Sequence, residues 1–135
     1  MALTHLTVLG TVASALAIWF FGWFWYSPAA FGPMWMKAAG ISKEKMGANV
    51  QATMIEGAVA SFVQAVALGV FLSLFHPASI QEAIEIGLAA WVAVQLPIWL
   101  HQRIYEKRPL PLLLINGGYG LASVLLAGVL LQLCA

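Results

Sequence analysis

Residues 6–25 read LTVLGTVASALAIWFFGWFW, a stretch without a charged side chain. A helix needs about 20 mostly apolar residues to cross the roughly 30 Å hydrocarbon layer of a bilayer, because each residue advances the helix axis by about 1.5 Å. The stretch therefore predicts a transmembrane helix. A secretion signal would begin with a basic residue, whereas the first base of this chain is Lys37, so we expect the segment to be retained.

Three further apolar stretches of similar length follow at residues 53–75, 83–100 and 112–133. Each is continuous, whereas the strands of a membrane barrel alternate lipid-facing and lumen-facing residues with a period of two. The chain of 135 residues is 62% hydrophobic and only 8% charged, which excludes an ordinary water-soluble domain. We predict one domain over residues 1–135, an all-α integral membrane four-helix bundle whose main partner is the lipid bilayer.

The basic residues indicate how the bundle is oriented. All six lysines and arginines fall in two connections, residues 26–52 and 101–111. In a chain with four spans these connections share one side of the membrane, and the termini and the 76–82 turn share the other. The positive-inside rule predicts a multi-pass inner-membrane protein with both termini outside and the two basic connections in the cytoplasm. The net charge of +1 provides no basic surface for nucleic acid.

The connection between the first two spans carries several local signals. The proline after Ser27 predicts the end of the first helix. Residues 31–37, FGPMWMK, combine large apolar side chains with one base, which suits a short segment at the lipid headgroups, and a plain loop is the alternative. Ser42 is expected to cap a helix that begins near Lys43 and runs without a break into the second span. The short turn at Pro77 predicts that the second and third helices are antiparallel neighbours.

Small side chains recur every four positions along the second span, at Gly57, Ser61, Ala65 and Gly69. Small residues let two helices approach closely, which matters because the hydrophobic effect does not drive helices together in lipid. Gly117 and Gly120 have the same significance in the fourth span. Packing within one protomer explains this pattern, and a subunit interface in a homo-oligomer is the alternative.

Polar side chains at membrane depth are the first candidates for function: Glu56, Gln64, Gln95, Asn116, Tyr119 and Ser123. Such groups are costly in hydrocarbon and normally face protein, water or a ligand. They are compatible with a polar track that joins Glu56 and Gln64 to the amides of the third and fourth spans. Hydrogen bonds that merely hold the helices together explain the same residues.

The end of the first span is strongly aromatic. Residues 19–26, WFFGWFWY, place seven rings in eight positions, and Trp19, Trp23 and Tyr26 share one helix face. An aromatic belt at the membrane interface is the simplest interpretation. A box that binds a hydrophobic or cationic ligand through the ring faces is the alternative.

Four side chains near helix ends on the predicted outer surface belong to metal-binding types: His5, His76, Glu82 and Glu85. Imidazole and carboxylate groups bind divalent metals, although no HxxxH, HExxH or paired-cysteine spacing is present. Glutamates at a helix N-terminus are also stabilised by the helix dipole. A metal site here is therefore an alternative to a purely structural role, and we expect no cofactor. The single cysteine, Cys134, permits no internal disulfide.

Two segments of the chain resemble one known family. They are residues 25–37, WYSPAAFGPMWMK, and residues 114–119, LINGGY. Both are similar to those of bacterial membrane proteins grouped as domain of unknown function 1761, and the likeness covers nearly the whole chain. The resemblance implies a small inner-membrane protein with four helices. It implies no established activity and no catalytic residues.

Three functions from different classes remain open. We expect an oligomeric transporter, a channel-like protein or a ligand-binding protein, because polar groups at membrane depth suggest a functional site. An accessory subunit that packs against another membrane protein is one alternative. A membrane enzyme that acts on an amphiphile through His5, His76 and Glu82 is the other, although the sequence contains no nucleophile elbow, phosphate loop or dinucleotide fingerprint. The sequence does not identify the small-molecule or ion substrate.

Overall fold

The computed structural model describes residues 2–135, and all the regular structure in this range is helical. Four helices are long and apolar enough to cross a membrane: α1 (Val8–Trp25), α4 (Val50–Phe75), α5 (Ile80–Tyr105) and α6 (Leu110–Leu133). Two short helices, α2 (Gly32–Ala39) and α3 (Lys43–Gly47), lie between α1 and α4. The predicted all-α membrane bundle with four spans is confirmed.

The helix ends follow local chemistry. Thr7 caps α1 by accepting a hydrogen bond from the Gly10 amide at 3.0 Å. Helix α1 ends at Trp25, just before the proline that predicted its end. Helix α2 is an eight-residue helix, not a plain loop, and it stops at Gly40, whose left-handed φ of 70° is favourable for glycine. Helices therefore begin and end where the sequence carries capping and breaking residues.

The prediction of one unbroken helix from Lys43 into the second span is wrong. Ser42 does cap a helix, accepting from the Lys45 amide at 3.2 Å, but α3 already ends at Gly47. Asn49 has a non-helical backbone, with φ −142° and ψ 52°. Glycine and asparagine are poor helix formers, and this exposed stretch has no packing that would compensate for them.

Helix α6 forms the centre of the bundle. It contacts each of the other three long helices, and α1 packs against both α4 and α6. The side chains of Ile18, Leu72 and Leu131 are fully buried in the core that these helices share. Alanines 65, 83 and 127 are also fully buried there, and their small side chains allow close helix contact.

Helix α5 packs on α6 and makes few contacts with α4, although the turn at Pro77 joins α4 and α5 directly. It also contains a π-helical turn, Trp91–Gln95, in which the Leu96 amide bonds to the Trp91 carbonyl five residues back. Pro97 follows immediately; proline has no amide hydrogen and its ring clashes with the carbonyl four residues earlier. The π-helical turn accommodates this proline. Helices α4 and α5 are therefore not the close neighbours that the short turn predicted, and a gap lies between them.

The two ends of the bundle differ in character. At one end, which we call the terminal end, His5 Nε2 donates to Gln132 Oε1 at 2.7 Å, and Gln132 Nε2 donates to the Pro77 carbonyl at 3.2 Å. These bonds join the N-terminal segment, the C-terminal segment and the α4–α5 turn. The other end, which we call the basic end, holds the connections 26–49 and 106–109. All the lysines and arginines lie at or near the basic end.

Candidate functional site

A cleft of about 250 Å³ lies between α4 and α5, with α6 behind it. It is lined by Gln64, Ala67, Leu68, Phe71, Ala90, Trp91, Val94, Gln95 and Val124. Apart from the two glutamine amides and the indole nitrogen, these side chains are apolar. Val94 is 60% exposed, so the cleft opens sideways from the bundle, towards the position of the lipid.

Gln64 and Gln95 lie close to the middle of their helices. Each belongs to a helix of 26 residues, the first beginning at Val50 and the second at Ile80. At about 1.5 Å per residue, both side chains leave the helix within about 4 Å of its midpoint. In a spanning helix this is the depth of the hydrocarbon layer, where no bulk water satisfies an amide.

Gln64 is held in place by α6. Its Nε2 donates to Ser123 Oγ at 2.9 Å, and this buried hydroxyl donates to the Gly120 carbonyl at 3.0 Å. The side-chain carbonyl of Gln64 accepts no hydrogen bond from residues 2–135. Gln64 therefore presents a free acceptor in a fixed orientation.

Gln95 is the last residue of the π-helical turn. Its side chain lies over Gly120, so closely that a Cβ on that glycine would collide with Gln95 Oε1. Beside it, the Trp91 indole donates to the Gly117 carbonyl at 3.1 Å. The Gln95 amide itself forms no hydrogen bond within residues 2–135. An amide without a partner is costly at this depth.

The glycines at the start of α6 make room for indole rings. A Cβ on Gly117 would lie 3.4 Å from the Trp99 ring, and one on Gly118 would lie 3.3 Å from the Trp25 ring. Trp25 Nε1 reaches the backbone of α6 and donates to the Ile115 carbonyl at 3.0 Å. This segment of α6 is therefore an anchor for tryptophans from α1 and α5.

A second, aromatic pocket of about 220 Å³ lies among α1, α4 and α6. Its lining includes the predicted aromatic face and part of the small-residue stripe: Trp19, Trp23, Tyr26, Gly57, Ser61 and Tyr119. The structure thus brings together side chains that the sequence assigned to three separate features.

The phenol groups of this pocket already have partners. Tyr26 OH donates to Asn116 Oδ1 at 2.7 Å, and Tyr119 OH donates to the Ile18 carbonyl at 3.2 Å. The Tyr26 hydroxyl lies just beyond the end of α1. Burial is the larger cause that raises its pKa, and the neighbouring Tyr119 hydroxyl is the smaller one. The Tyr26 hydroxyl therefore stays protonated at physiological pH and acts as the hydrogen-bond donor to Asn116.

The small-residue stripe of α4 packs against α1 and the N-terminal segment before it within the protomer. Ala65 is fully buried, and a Cβ on Gly69 would lie 3.2 Å from the His5 carbonyl. Gly57 faces the Trp19 indole, with 3.6 Å between Nε1 and a Cβ built on the glycine. These contacts support packing within the protomer as the role of the stripe.

The comparison with protein families is decided by one match. A family model described as Protein of unknown function (DUF1761) matches residues 9–132, which include nearly all of the four long helices. The chain belongs to the DUF1761 family. No curated protein and no solved structure matches it.

In this DUF1761 protein the two segments that carried the resemblance, 25–37 and 114–119, are neighbours. Trp25 of the first segment bonds to the Ile115 carbonyl of the second, and Tyr26 bonds to Asn116. The resemblance therefore corresponds to one contact region of the DUF1761 fold, where the end of α1 meets the start of α6.

The polar track that the sequence left open is not assembled in this DUF1761 protein. Glu56 is exposed on the outer surface of α4 and lines neither the cleft nor the aromatic pocket. Eight residues separate it from Gln64, and at 3.6 residues per turn this rotates the two side chains about 80° apart. Asn116 is bonded to Tyr26 and not to either glutamine. Of the six polar candidates, Gln64 and Gln95 line the same cleft.

The metal-binding candidates each have another place in the structure. His5 is buried and bonds to Gln132, while His76 is exposed at the end of α4. Glu82 Oε2 accepts from the Ala78 amide at 2.7 Å, and Glu85 Oε1 accepts from the Gln81 side chain at 2.9 Å. Within residues 2–135 no group of three or more His, Cys, Asp and Glu is placed to hold a metal ion. These carboxylates stabilise the start of α5.

Trp91 and the π-helical turn are parts of the cleft that the sequence reasoning did not identify. Pro97 was a usable signal, because a proline inside an apolar helix perturbs the hydrogen bonds of the preceding turn. Gln95 lies two residues before this proline and Trp91 six residues before it. The perturbed turn and its polar side chain therefore point to the same position in α5.

Proposed function

We propose that this protein binds a neutral amphiphilic molecule, taken up sideways from the bilayer, in the cleft between α4 and α5. One observation carries the proposal: Gln95 ends a π-helical turn near the middle of its helix, and its side-chain amide has no hydrogen-bond partner in residues 2–135. The hydrocarbon layer offers no water to an amide at this depth, and a ligand that hydrogen-bonds to Gln95 would remove that cost. π-Helical turns are frequent at functional sites.

The chemistry of the cleft selects the class of ligand. Gln64 offers a carbonyl oxygen as an acceptor, and Gln95 offers both a donor and an acceptor. Leu68, Phe71 and Val124 form apolar walls around them, and no charged side chain lines the cleft. The site therefore suits a hydroxyl, carbonyl or amide group on an apolar body. A bare ion would lose its hydration there without an opposite charge to replace it.

Binding is the part of the functional expectation that this geometry supports best. Transport would need further polar groups along a path, and Asn116, the next intramembrane amide, is already bonded to Tyr26. A homo-oligomer is part of the same proposal. It is supported by helix α5, in which Ala83 and Gly87 are the only residues buried within the protomer. The remaining surface of α5 is open to lipid, to further copies of this chain or to another membrane protein.

Replacing Gln95 by leucine tests the proposed site. Leucine has a similar size and no polar group, so we expect folding to be preserved, with an unchanged or higher melting temperature in detergent. A photoreactive long-chain alcohol that carries a diazirine is the probe. We expect at least ten-fold less crosslinking to the Gln95→Leu variant than to the wild type, with the crosslinks of the wild type mapping to α4 and α5.

The matched control is Val92→Leu, a change on the same helix at a side chain that is 48% exposed and does not line the cleft. This variant should crosslink as the wild type does. Equal labelling of the wild type and the Gln95→Leu variant would contradict the proposal. So would crosslinks that lie outside the cleft-lining segments.

The location of the protein is part of the same proposal. We infer that it lies in the inner membrane of a bacterium, with the basic end in the cytoplasm and both termini outside. The asymmetry of the basic residues supports this orientation, because lysines and arginines are retained on the cytoplasmic side during insertion.

Labelling of cysteines with a membrane-impermeant maleimide tests this orientation. Cys134 is partly exposed near the terminal end, and Lys45 is exposed at the basic end. In spheroplasts we expect Cys134 to be labelled. We expect Lys45→Cys, introduced together with Cys134→Ala, to react only after the membrane is opened. The opposite pattern of labelling would reverse the proposed orientation.

A further inference from the structure

A separate groove of about 370 Å³ lies at the basic end, between the α1–α2 connection and the start of α6. Its walls are almost wholly apolar and are formed chiefly by Trp25, Phe31, Met34, Pro111, Leu114 and Ile115. It shares no lining residue with the α4–α5 cleft. The two sites are therefore independent.

The groove runs along the first turns of α6. Pro111 lies in the first turn of that helix and Gly118 seven residues further on, which is about 10 Å deeper at the usual rise. In a spanning helix this is the direction of a lipid acyl chain. The Trp25 ring, held by the Ile115 carbonyl, packs against Phe31 with 4.6 Å between ring centroids. One wall of the groove is thus fixed by a hydrogen bond and ring packing.

Several cations lie at the end of α5 and in the loop that leads into the α6 wall of the groove. Arg108 lies three residues before Pro111, and Arg103 Nη1 donates to the Arg108 carbonyl at 3.0 Å, which brings both arginines to the same loop. Lys107 lies beside them and is exposed. Glu106 is the acid of this loop, with its carboxylate 3.6 Å from Arg108 Nε. The end of α5 and this loop therefore carry three cations and one carboxylate.

The opposite side of the groove adds a further cation. Lys37 follows Met34 by one turn of α2, so both residues lie on the same side of that helix. Lys37 is exposed, and α2 packs against α6. Basic side chains thus lie on both elements that form the groove.

We propose that this groove binds an anionic phospholipid, with one acyl chain in the groove and the headgroup at Arg108 and Lys107. An apolar channel that opens beside clustered cations is complementary to a lipid whose phosphate carries an uncompensated negative charge. A zwitterionic lipid brings a positive headgroup to the same cations and binds more weakly. The proposal does not depend on the ligand of the α4–α5 cleft.

Native mass spectrometry of the detergent-purified protein tests the proposal with phosphatidylglycerol and phosphatidylcholine of identical acyl chains. We expect one site that prefers phosphatidylglycerol at least five-fold. Arg108→Gln combined with Lys107→Gln should reduce that preference to about one. Leu114→Trp, at a side chain that is 60% exposed, should fill the groove and weaken both lipids.

The charge-matched control is Lys43→Gln combined with Lys45→Gln on α3, which does not line the groove. This variant should keep the preference of the wild type. Equal binding of the two lipids to the wild type would overturn the proposal. So would a preference that survives Arg108→Gln with Lys107→Gln, or one that falls equally in the α3 variant. Glycerol phosphate has no acyl chain and should not displace the lipid. If it did, the groove would not be the site that holds the acyl chain, and the proposal would be overturned.

Discussion

We expect Gly32→Ala to destabilise the protein more than the addition of a methyl group at any other position in the α1–α2 connection. A Cβ at this position would lie 2.5 Å from the Tyr26 carbonyl oxygen and 2.7 Å from that of Ser27. Both are backbone atoms. The Ser27 carbonyl is held by the amides of Ala30 and Gly32, each at 3.0 Å, so it cannot withdraw without breaking those bonds.

The expected cost is about 3 kcal/mol, at the upper end of the usual range for overpacking, because backbone and not a flexible side chain has to move. Thermal unfolding in detergent, followed by circular dichroism, measures it as a melting temperature lowered by several degrees. Gly47→Ala is the control, since nothing lies within 4 Å of a Cβ there. That variant should be neutral or slightly stabilising. Equal melting temperatures for the two variants would contradict the structure of this connection.

Truncating Leu72 to alanine is the second large effect that we expect. Leu72 is fully buried in the core that α4 shares with α6, near the fully buried side chains of Ala65 and Leu131. Lipid is as apolar as a leucine side chain, so the loss comes mainly from the cavity and the lost packing contacts. We expect about 2–3 kcal/mol, the lower part of the range for buried leucines in soluble proteins.

The neighbouring Leu74 provides the comparison. It lies on the same helix two residues further on, is 53% exposed and faces away from the core. Leu74→Ala should change the free energy of unfolding by less than about 0.5 kcal/mol. Unfolding by a denaturing detergent, measured for both variants, separates a packed position from one in contact with lipid. A loss at Leu74 as large as at Leu72 would indicate that a further subunit covers this face.

The spans were predictable because hydropathy is a local property. A stretch such as 6–25 has no charge and the length of the hydrocarbon layer, and neither fact depends on the rest of the chain. The end of α1 just before the Ser27-Pro28 pair and the start of α3 after Ser42 were predictable for the same reason, since caps and prolines act on adjacent backbone. The break before Asn49 was missed, although it too has a local cause in two weak helix formers.

The candidate site was predictable only in part. Gln64 and Gln95 were singled out as intramembrane polar residues, but their grouping with Glu56 and Asn116 does not occur in the structure. Gln64 instead bonds to Ser123, which is 59 positions away in the chain. Which of several polar residues meet depends on how each helix is rotated about its axis, and hydropathy does not determine that rotation in helices that are apolar on every face.

By itself, the sequence determined that this chain crosses a bilayer with four helices and that its positive charges gather at one end. Those properties follow from transfer free energies and charges that each segment carries alone. Only the tertiary structure decided that α5 packs on α6 and stays separated from α4, so that a cleft opens beside Gln95. Helix pairing in lipid depends on close packing and on hydrogen bonds between distant residues, and these exist only once the helices are assembled.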